Sequence, residues 1–236
     1  MKKLSLALLS ISLLTACNFF QNCIEADPER VNQKLELNKI KEINLASGVE
    51  IFLTQSDLQQ ASFEGPANYL KVLNQEVENG KWNIKFDRCL KEAERVKIEL
   101  SLVELEGVKI NGAGKVIGRS RFSGDDIELE IAGSGDVELE LDYKSLESEI
   151  NGSGNIRLSG LVKSQDIEIN GSGDVMALEL KSDDTEVEIN GSGDVEVAAS
   201  YSLDVEVNGS GDVKYVGSPK ALSSEINGSG RLQQVR

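Results

Sequence analysis

Between residues 110 and 232 the chain returns seven times to one short pattern, and that repetition limits what it can fold into more than any other feature. The copies are Ile110-Asn-Gly-Ala-Gly-Lys-Val116, Ile131-Ala-Gly-Ser-Gly-Asp-Val137, Ile150-Asn-Gly-Ser-Gly-Asn-Ile156 and Ile169-Asn-Gly-Ser-Gly-Asp-Val175. Ile189-Asn-Gly-Ser-Gly-Asp-Val195, Val207-Asn-Gly-Ser-Gly-Asp-Val213 and Ile226-Asn-Gly-Ser-Gly-Arg-Leu232 complete the series. Their first glycines lie 21, 19, 19, 20, 18 and 19 residues apart. Self-similarity at a fixed period of this length marks a stacked or arrayed architecture. The flanks alternate with period two: Ile127, Leu129 and Ile131 enclose Glu128 and Glu130, and Val137, Leu139 and Leu141 enclose Glu138 and Glu140. This is the signature of strands with one buried face. Each repeat thus reads as strand, Gly-Ser-Gly turn, strand and a variable polar turn such as Lys181-Ser-Asp-Asp184 or Gly217-Ser-Pro-Lys220.

Two short strands cannot bury a core alone, but coils stacked about 4.8 Å apart can, because each apolar side chain then covers its equivalent in the next coil. The expected fold is all-β, a parallel β-solenoid with coils of about 19 residues. The paired glycines, Gly112 and Gly114, Gly133 and Gly135, Gly152 and Gly154, Gly171 and Gly173, would form one edge of it. Gly191 and Gly193, Gly209 and Gly211, and Gly228 and Gly230 continue that edge, where a Cβ would clash. Asn111, Asn151, Asn170, Asn190, Asn208 and Asn227 are expected to form a hydrogen-bonded ladder along it. A β-propeller needs roughly 40–45 residues per blade, and a leucine-rich repeat needs a leucine spacing absent here.

The first half is less regular. Strand-like runs occur at Val49–Thr54, Lys81–Phe86 and Arg95–Leu105, with short helical turns expected near Pro66–Val72 and Cys89–Ala93. The reading divides the chain into a leader (1–16), a lipidated tether (17–35), an irregular β region capping the solenoid (36–109) and the regular repeats (110–236). Solenoids need such a cap at an open end.

The leader carries Lys2 and Lys3, then an apolar run from Leu4 to Leu14 that is too short to span a bilayer and suits a secretory signal. It ends in Leu14-Thr15-Ala16-Cys17, which resembles the lipobox of bacterial lipoproteins. That resemblance implies cleavage before Cys17 and lipidation of its thiol, leaving a membrane partner at the N-terminus and an envelope location. Loss of the two lysines moves the net charge from −15 to −17. So acidic a chain repels nucleic acid and anionic headgroups. The complete lack of histidine removes the commonest general base and transition-metal ligand. Cys23 and Cys89 remain, an even pair in an oxidising compartment, as candidates for a disulfide or for two buried thiols.

Asp136, Asp174, Asp194 and Asp212 follow successive turns, with Asn155 in the same column and Lys115 and Arg231 in the end copies. Stacked carboxylates repel unless screened or bridged, so the column is a weak candidate for cation binding. The calcium-binding repeat that it partly matches has half this period. The five Asn-Gly-Ser sequons lie in tight turns and are not read as glycosylation sites. Glu128, Glu130, Glu138 and Glu140 are spread along strands with nothing gathering them into a cleft. Trp82, Phe86, Tyr69, Tyr143, Tyr201 and Tyr215 could stack on sugars, but scattered aromatics more often fill a core. No cofactor is expected.

From about Ile40 onward the chain resembles the GIN-domain family of autotransporter-adhesin heads. The resemblance rests on Gly48-Val-Glu-Ile-Phe-Leu-Thr-Gln55, Glu64-Gly-Pro-Ala-Asn-Tyr-Leu70, Val77-Glu-Asn-Gly-Lys-Trp-Asn-Ile84 and the train of Asn-Gly-Ser-Gly turns. It implies a right-handed, pectin-lyase-like β-helix and a role in cell adhesion, with no catalytic residues to carry over. The expected function is a non-enzymatic, lipid-anchored envelope protein that binds a glycan or protein ligand. The alternatives are a periplasmic scaffolding lipoprotein and, third, a carbohydrate-active enzyme. The exposed strand edges of the last repeat predict self-association.

Overall fold

The computed structural model describes residues 23–236. Five long strands carry the repeats: β9 (Lys115–Gly133), β10 (Asp136–Gly152), β11 (Asn155–Gly171), β12 (Asp174–Gly191) and β13 (Val195–Gly209). Each begins after one Gly-x-Gly and ends at the next. All pair in parallel, with equivalent residues facing each other: Val137 with Ile156, Ile150 with Ile169, Gly152 with Gly171. The result is the expected parallel β-solenoid. Its core is a set of columns, one of which runs Ile131, Ile150, Ile169, Ile189 and Val207, all essentially fully buried. Burying one such side chain contributes about 1.5–3 kcal/mol, so a column is the unit of stability here.

A coil closes because the in–out alternation slips. Val137, Leu139, Leu141 and Tyr143 point inward, and so do Leu146, Ser148 and Ile150; the shift from odd to even positions falls at Lys144-Ser145. There the strand changes direction while staying in the ladder, since Ser145 still pairs with Ser164. Strand β12 slips twice, after Ala177 and after Ser182. This corrects one expectation: Lys181–Asp184 is not a loop but part of β12. Ser182 turns inward because its polar atom is satisfied there, donating to Ala198 O (2.6 Å) and accepting from Gln165 Nε2 (3.0 Å). Gly217–Lys220 does connect separate strands, β14 (Val213–Val216) and β15 (Ala221–Gly228). Strand β16 (Leu232–Gln234) completes the last coil by pairing with β14.

The N-terminal part is threaded out of order. Strands β2 (Glu42–Leu45) and β3 (Glu50–Gln55) form a coil lying between two coils that come later in sequence. On one side β6 (Lys81–Ile84) pairs with β2 and β7 (Lys97–Leu102) with β3; on the other, β8 (Gly107–Gly112) pairs with β2 and the start of β9 with β3. All four pairings are parallel, so regular stacking begins well before residue 110, inside the region expected to be irregular. The cap itself is antiparallel. Strand β4 (Gln60–Pro66) runs against β7, β1 (Arg30–Leu35) runs against β4, and β5 (Val77–Glu78) forms a hairpin with β6. Between β4 and β5 lies the single helical turn α1 (Ala67–Leu70). Phe63, Tyr69 and Trp82, all fully buried, fill the end of the core where the columns stop.

Residues 23–35, expected as tether, are instead held to this cap. Cys23 is disulfide-bonded to Cys89, with Cα atoms 4.5 Å apart. Ile24 N–H donates to Cys89 O (2.9 Å), and Asp27 N–H to Asn68 Oδ1 (3.1 Å). The Asp27-Pro28-Glu29 break ends before β1, where the chain rejoins the sheet as an edge strand. Cys17 and the leader lie outside the described residues.

Candidate binding faces

The Gly-x-Gly turns build the edge from which the exposed faces are aligned. Each turn serine donates its N–H to the first glycine of the preceding coil, as Ser153 does to Gly133 O and Ser172 to Gly152 O (both 2.8 Å). That approach leaves no room for a side chain. A Cβ on Gly154 would lie 2.5 Å from Gly135 O and 2.6 Å from Ile131 Cγ2.

Beside the glycines the asparagines stack. Asn170 Nδ2 donates to Asn151 Oδ1, Asn190 to Asn170, Asn208 to Asn190 and Asn227 to Asn208, each at 3.2 Å. Each amide also donates to the glutamate two residues earlier, for example Asn190 to Glu188 Oε1 (2.7 Å). A second run that sequence reasoning missed links Asn111 to Asn44 (2.8 Å) and Asn44 to Asn83 (3.0 Å). Neither Asn44 nor Asn83 precedes a glycine, so the turn motif gives no sign of them. Ala132, paired with both Asn111 and Asn151, separates the two runs. Replacing Ala132 with Asn is expected to join them and to raise stability by roughly 0.5–1 kcal/mol, read as an increased urea midpoint.

The aspartate column is occupied by protein donors. Asp174 Oδ1 accepts Asp194 N–H (3.0 Å), and Asp194 Oδ1 accepts Asp212 N–H (2.8 Å). Asp136 accepts Asn155 Nδ2 (2.9 Å), and Asp212 is paired with Arg231 (2.6 Å), whose guanidinium holds that carboxyl below its ordinary range. Among the described residues no group of three or more acidic or cysteine side chains is arranged to hold a metal ion.

Coil register divides the remaining charges between two faces. On one, like charges stack: Glu128, Glu147, Asp166, Glu186 and Asp204 form one column. Glu130, Glu149, Glu168, Glu188, Glu206 and Glu225 form the column beside it. Lys109 closes the N-terminal end of both by bonding Glu128 (2.7 Å) and Glu130 (2.8 Å), which hold its ammonium above the ordinary lysine range. Like charges directly opposite on neighbouring strands destabilise a sheet. The effect surfaces at Asp166, where burial first, then Glu168 and Glu188, push the pKa up. A carboxyl whose pKa rises on folding favours the fold when protonated, and that advantage is lost as pH rises through the raised value. Asp166→Asn is therefore expected to raise stability at neutral pH by a few tenths of a kcal/mol, read as a higher urea midpoint, since the group is partly screened by solvent. The gain should fade as pH falls towards the ordinary carboxylate pKa of about 4.

The opposite face alternates sign instead. Arg121 pairs with Glu140 (2.6 Å), Lys214 with Glu196 (3.0 Å) and Arg119 with Glu99 (2.9 Å), while the Arg119 guanidinium lies 3.9 Å from the Phe52 ring centroid. Glu128 and Glu130 thus belong to the acidic face and Glu138 and Glu140 to the mixed one. Most of the aromatic candidates are structural. Trp82, Tyr69, Tyr143 and Tyr215 are buried, with Trp82 Nε1 donating to Asn74 O (3.0 Å) and Tyr143 OH to Leu105 O (2.7 Å). Phe86 is partly buried, and Tyr201 is 54% exposed beside Lys220.

Residues 39–219 match the family model described as "Putative auto-transporter adhesin, head GIN domain". No curated protein matches the chain. Among solved structures, one described as "a putative adhesin" from Bacteroides fragilis superposes with a TM-score of 0.86 at 24% identity, over 90% of this chain and 100% of that one. A "putative lipid binding protein" from Parabacteroides distasonis gives 0.74 at 24% identity over 91% and 100%. A "putative adhesin" from Parabacteroides merdae gives 0.73 at 20% identity over 91% and 100%. At these identities the likeness extends to the fold.

Proposed function

Because the chain belongs to the GIN-domain family of auto-transporter adhesin heads, we propose that it is a non-enzymatic, lipid-anchored envelope protein that binds a glycan or protein ligand along the solenoid. The observation that carries this reading is the pair of long faces held in register by the turn edge, one of them acidic in every coil from Glu128 to Glu225. Such faces offer repeated equivalent contacts at about 4.8 Å spacing, which suits an extended partner better than a small substrate. Electrostatics favours a ligand that is not itself strongly anionic. Solved relatives described as adhesins support the reading, as does the chemistry of the faces. Their carboxylates are spread over many coils, and those near the turn edge are bound to backbone, amide or guanidinium donors. Leu14-Thr15-Ala16-Cys17 supports anchoring by a lipid on Cys17.

A scaffolding lipoprotein inside the periplasm is the second reading, supported by the same anchor and faces. Self-association is a further proposal: β15 pairs only with β13 and β16 only with β14 among the described residues, which leaves their outer edges open. Palmitate labelling of expressing cells tests the anchor. The expected result is a labelled mature chain beginning at residue 17, with label and cleavage both lost in Cys17→Ser. A mature chain without label, or label retained in Cys17→Ser, overturns it.

A further inference from the structure

Asparagine followed by glycine is the dipeptide most prone to lose its side-chain amide, because glycine has no Cβ to shield its backbone nitrogen from the asparagine Cγ. The chain has seven such pairs, Asn79-Gly80 and the six in the turns. The fold divides them into two classes.

Every turn asparagine has its side-chain amide committed. Asn111 Nδ2 donates to Asn44 Oδ1 (2.8 Å), Asn151 Nδ2 donates to Glu149 Oε1 while its Oδ1 accepts from Asn170, and the other four each donate to two acceptors. Asn170 Nδ2 is held by Asn151 Oδ1 (3.2 Å) and Glu168 Oε1 (2.7 Å), and Asn190, Asn208 and Asn227 repeat the arrangement. Their glycines lie in the parallel ladder, Gly152 against Gly171 and Gly171 against Gly191. For a glycine nitrogen to reach the neighbouring Cγ, the amide must leave its partners and the strand must leave the sheet.

Asn79 sits instead at the exposed tip of the β5–β6 hairpin. It has φ 52°, the only positive φ of a non-glycine residue among those described, and Gly80 follows with φ 81°. Gly80 O accepts from Lys41 N–H (2.8 Å) and Glu42 N–H (3.1 Å), which fixes the turn. Among the described residues the Asn79 side chain makes no hydrogen bond and Gly80 N–H donates none, so both reacting groups are uncommitted.

We propose that Asn79 is a site of spontaneous deamidation, left open by the hairpin while the solenoid protects the other six Asn-Gly pairs. The Gly80 nitrogen, losing its proton to water, attacks Asn79 Cγ. The N–Cγ bond forms, the Cγ–Nδ2 bond breaks, and ammonia departs with the proton. Water then opens the five-membered imide at either carbonyl, giving aspartate or isoaspartate at position 79. Either product adds a negative charge beside Glu78, and isoaspartate also lengthens the backbone at the hairpin that closes one sheet.

The test is incubation of the folded full chain at mildly alkaline pH, then tryptic mapping by mass spectrometry with urea-unfolded protein in parallel. The peptide from Val72 to Lys81 is expected to exchange amide for carboxyl at least about tenfold faster than any turn peptide in the folded chain, with the difference vanishing in urea. Early ammonia release should disappear in Asn79→Asp. Turn asparagines that react as fast as Asn79 in the folded chain would overturn the proposal, as would a folded chain in which Asn79 is unreactive.

Discussion

Gly171→Ala is expected to destabilise the chain by about 4 kcal/mol or more, while Gly112→Ala, at the same position of the repeat, should cost only about 1–2 kcal/mol. Both glycines have positive φ, 144° and 129°, so both substitutions carry the backbone cost. They differ in what lies beneath. A Cβ on Gly171 would collide with Gly152 O and sit 3.1 Å from its carbonyl carbon, in a sheet that cannot shift without breaking the stack. A Cβ on Gly112 meets nothing within 4 Å. Urea denaturation of the two variants beside the parent chain checks the difference. Equal costs would mean that backbone conformation, rather than close stacking, is what the turn requires.

Breaking the Cys23–Cys89 bond is the second large effect. The bond closes a span of 66 residues, for which the loss of denatured-chain entropy corresponds to a stabilisation of about 4 kcal/mol. Structure retained in the denatured chain lowers the expected loss to about 2–4 kcal/mol. Without the bond the segment keeps its hydrogen bonds and one ion pair: Ile24 to Cys89 and Lys91, Tyr69 OH to Ile24 O (3.3 Å), Asp27 and Glu25 to Asn68, Ala67 N–H to Glu29 O (2.9 Å), and Lys91 to Glu25. A Cys23→Ser/Cys89→Ser double variant should therefore lose stability and gain protease cleavage ahead of β1. An unchanged urea midpoint and an unchanged cleavage pattern would show that the hydrogen bonds alone hold the segment.

The repeats were legible because stacking demands a local signature. Only glycine fits the two outer positions of a turn stacked on another, and the period between glycines gives the coil. The acidic face was legible in principle as well. Glu130, Glu149, Glu168, Glu188, Glu206 and Glu225 each stand three residues before a first glycine, so register alone puts them in one column. The out-of-order threading was not legible. The β2–β3 coil turns through Ala46-Ser47-Gly48 without the motif, and its neighbours are chosen by long-range pairing of Ile43 with Trp82 and Val108, which no local pattern encodes. Ser182 misled for a related reason. A polar residue reads as surface unless its partners are known, and these come from three different stretches, at Gln165, Thr185 and Ala198. Likewise β1, with mostly exposed side chains, reads as tether because an edge strand buries little.

The adhesin reading requires the ligand-binding solenoid to face outside the cell, whereas the scaffolding reading keeps it in the periplasm. Protease shaving of intact cells separates the two most directly. Lysed cells and the Cys17→Ser variant serve as controls, with immunodetection of the chain. The adhesin reading predicts loss of the protein from intact cells at protease levels that leave periplasmic markers whole, and no surface-digestible pool in Cys17→Ser. Protection until lysis would contradict it, and would direct the search for partners to the periplasm.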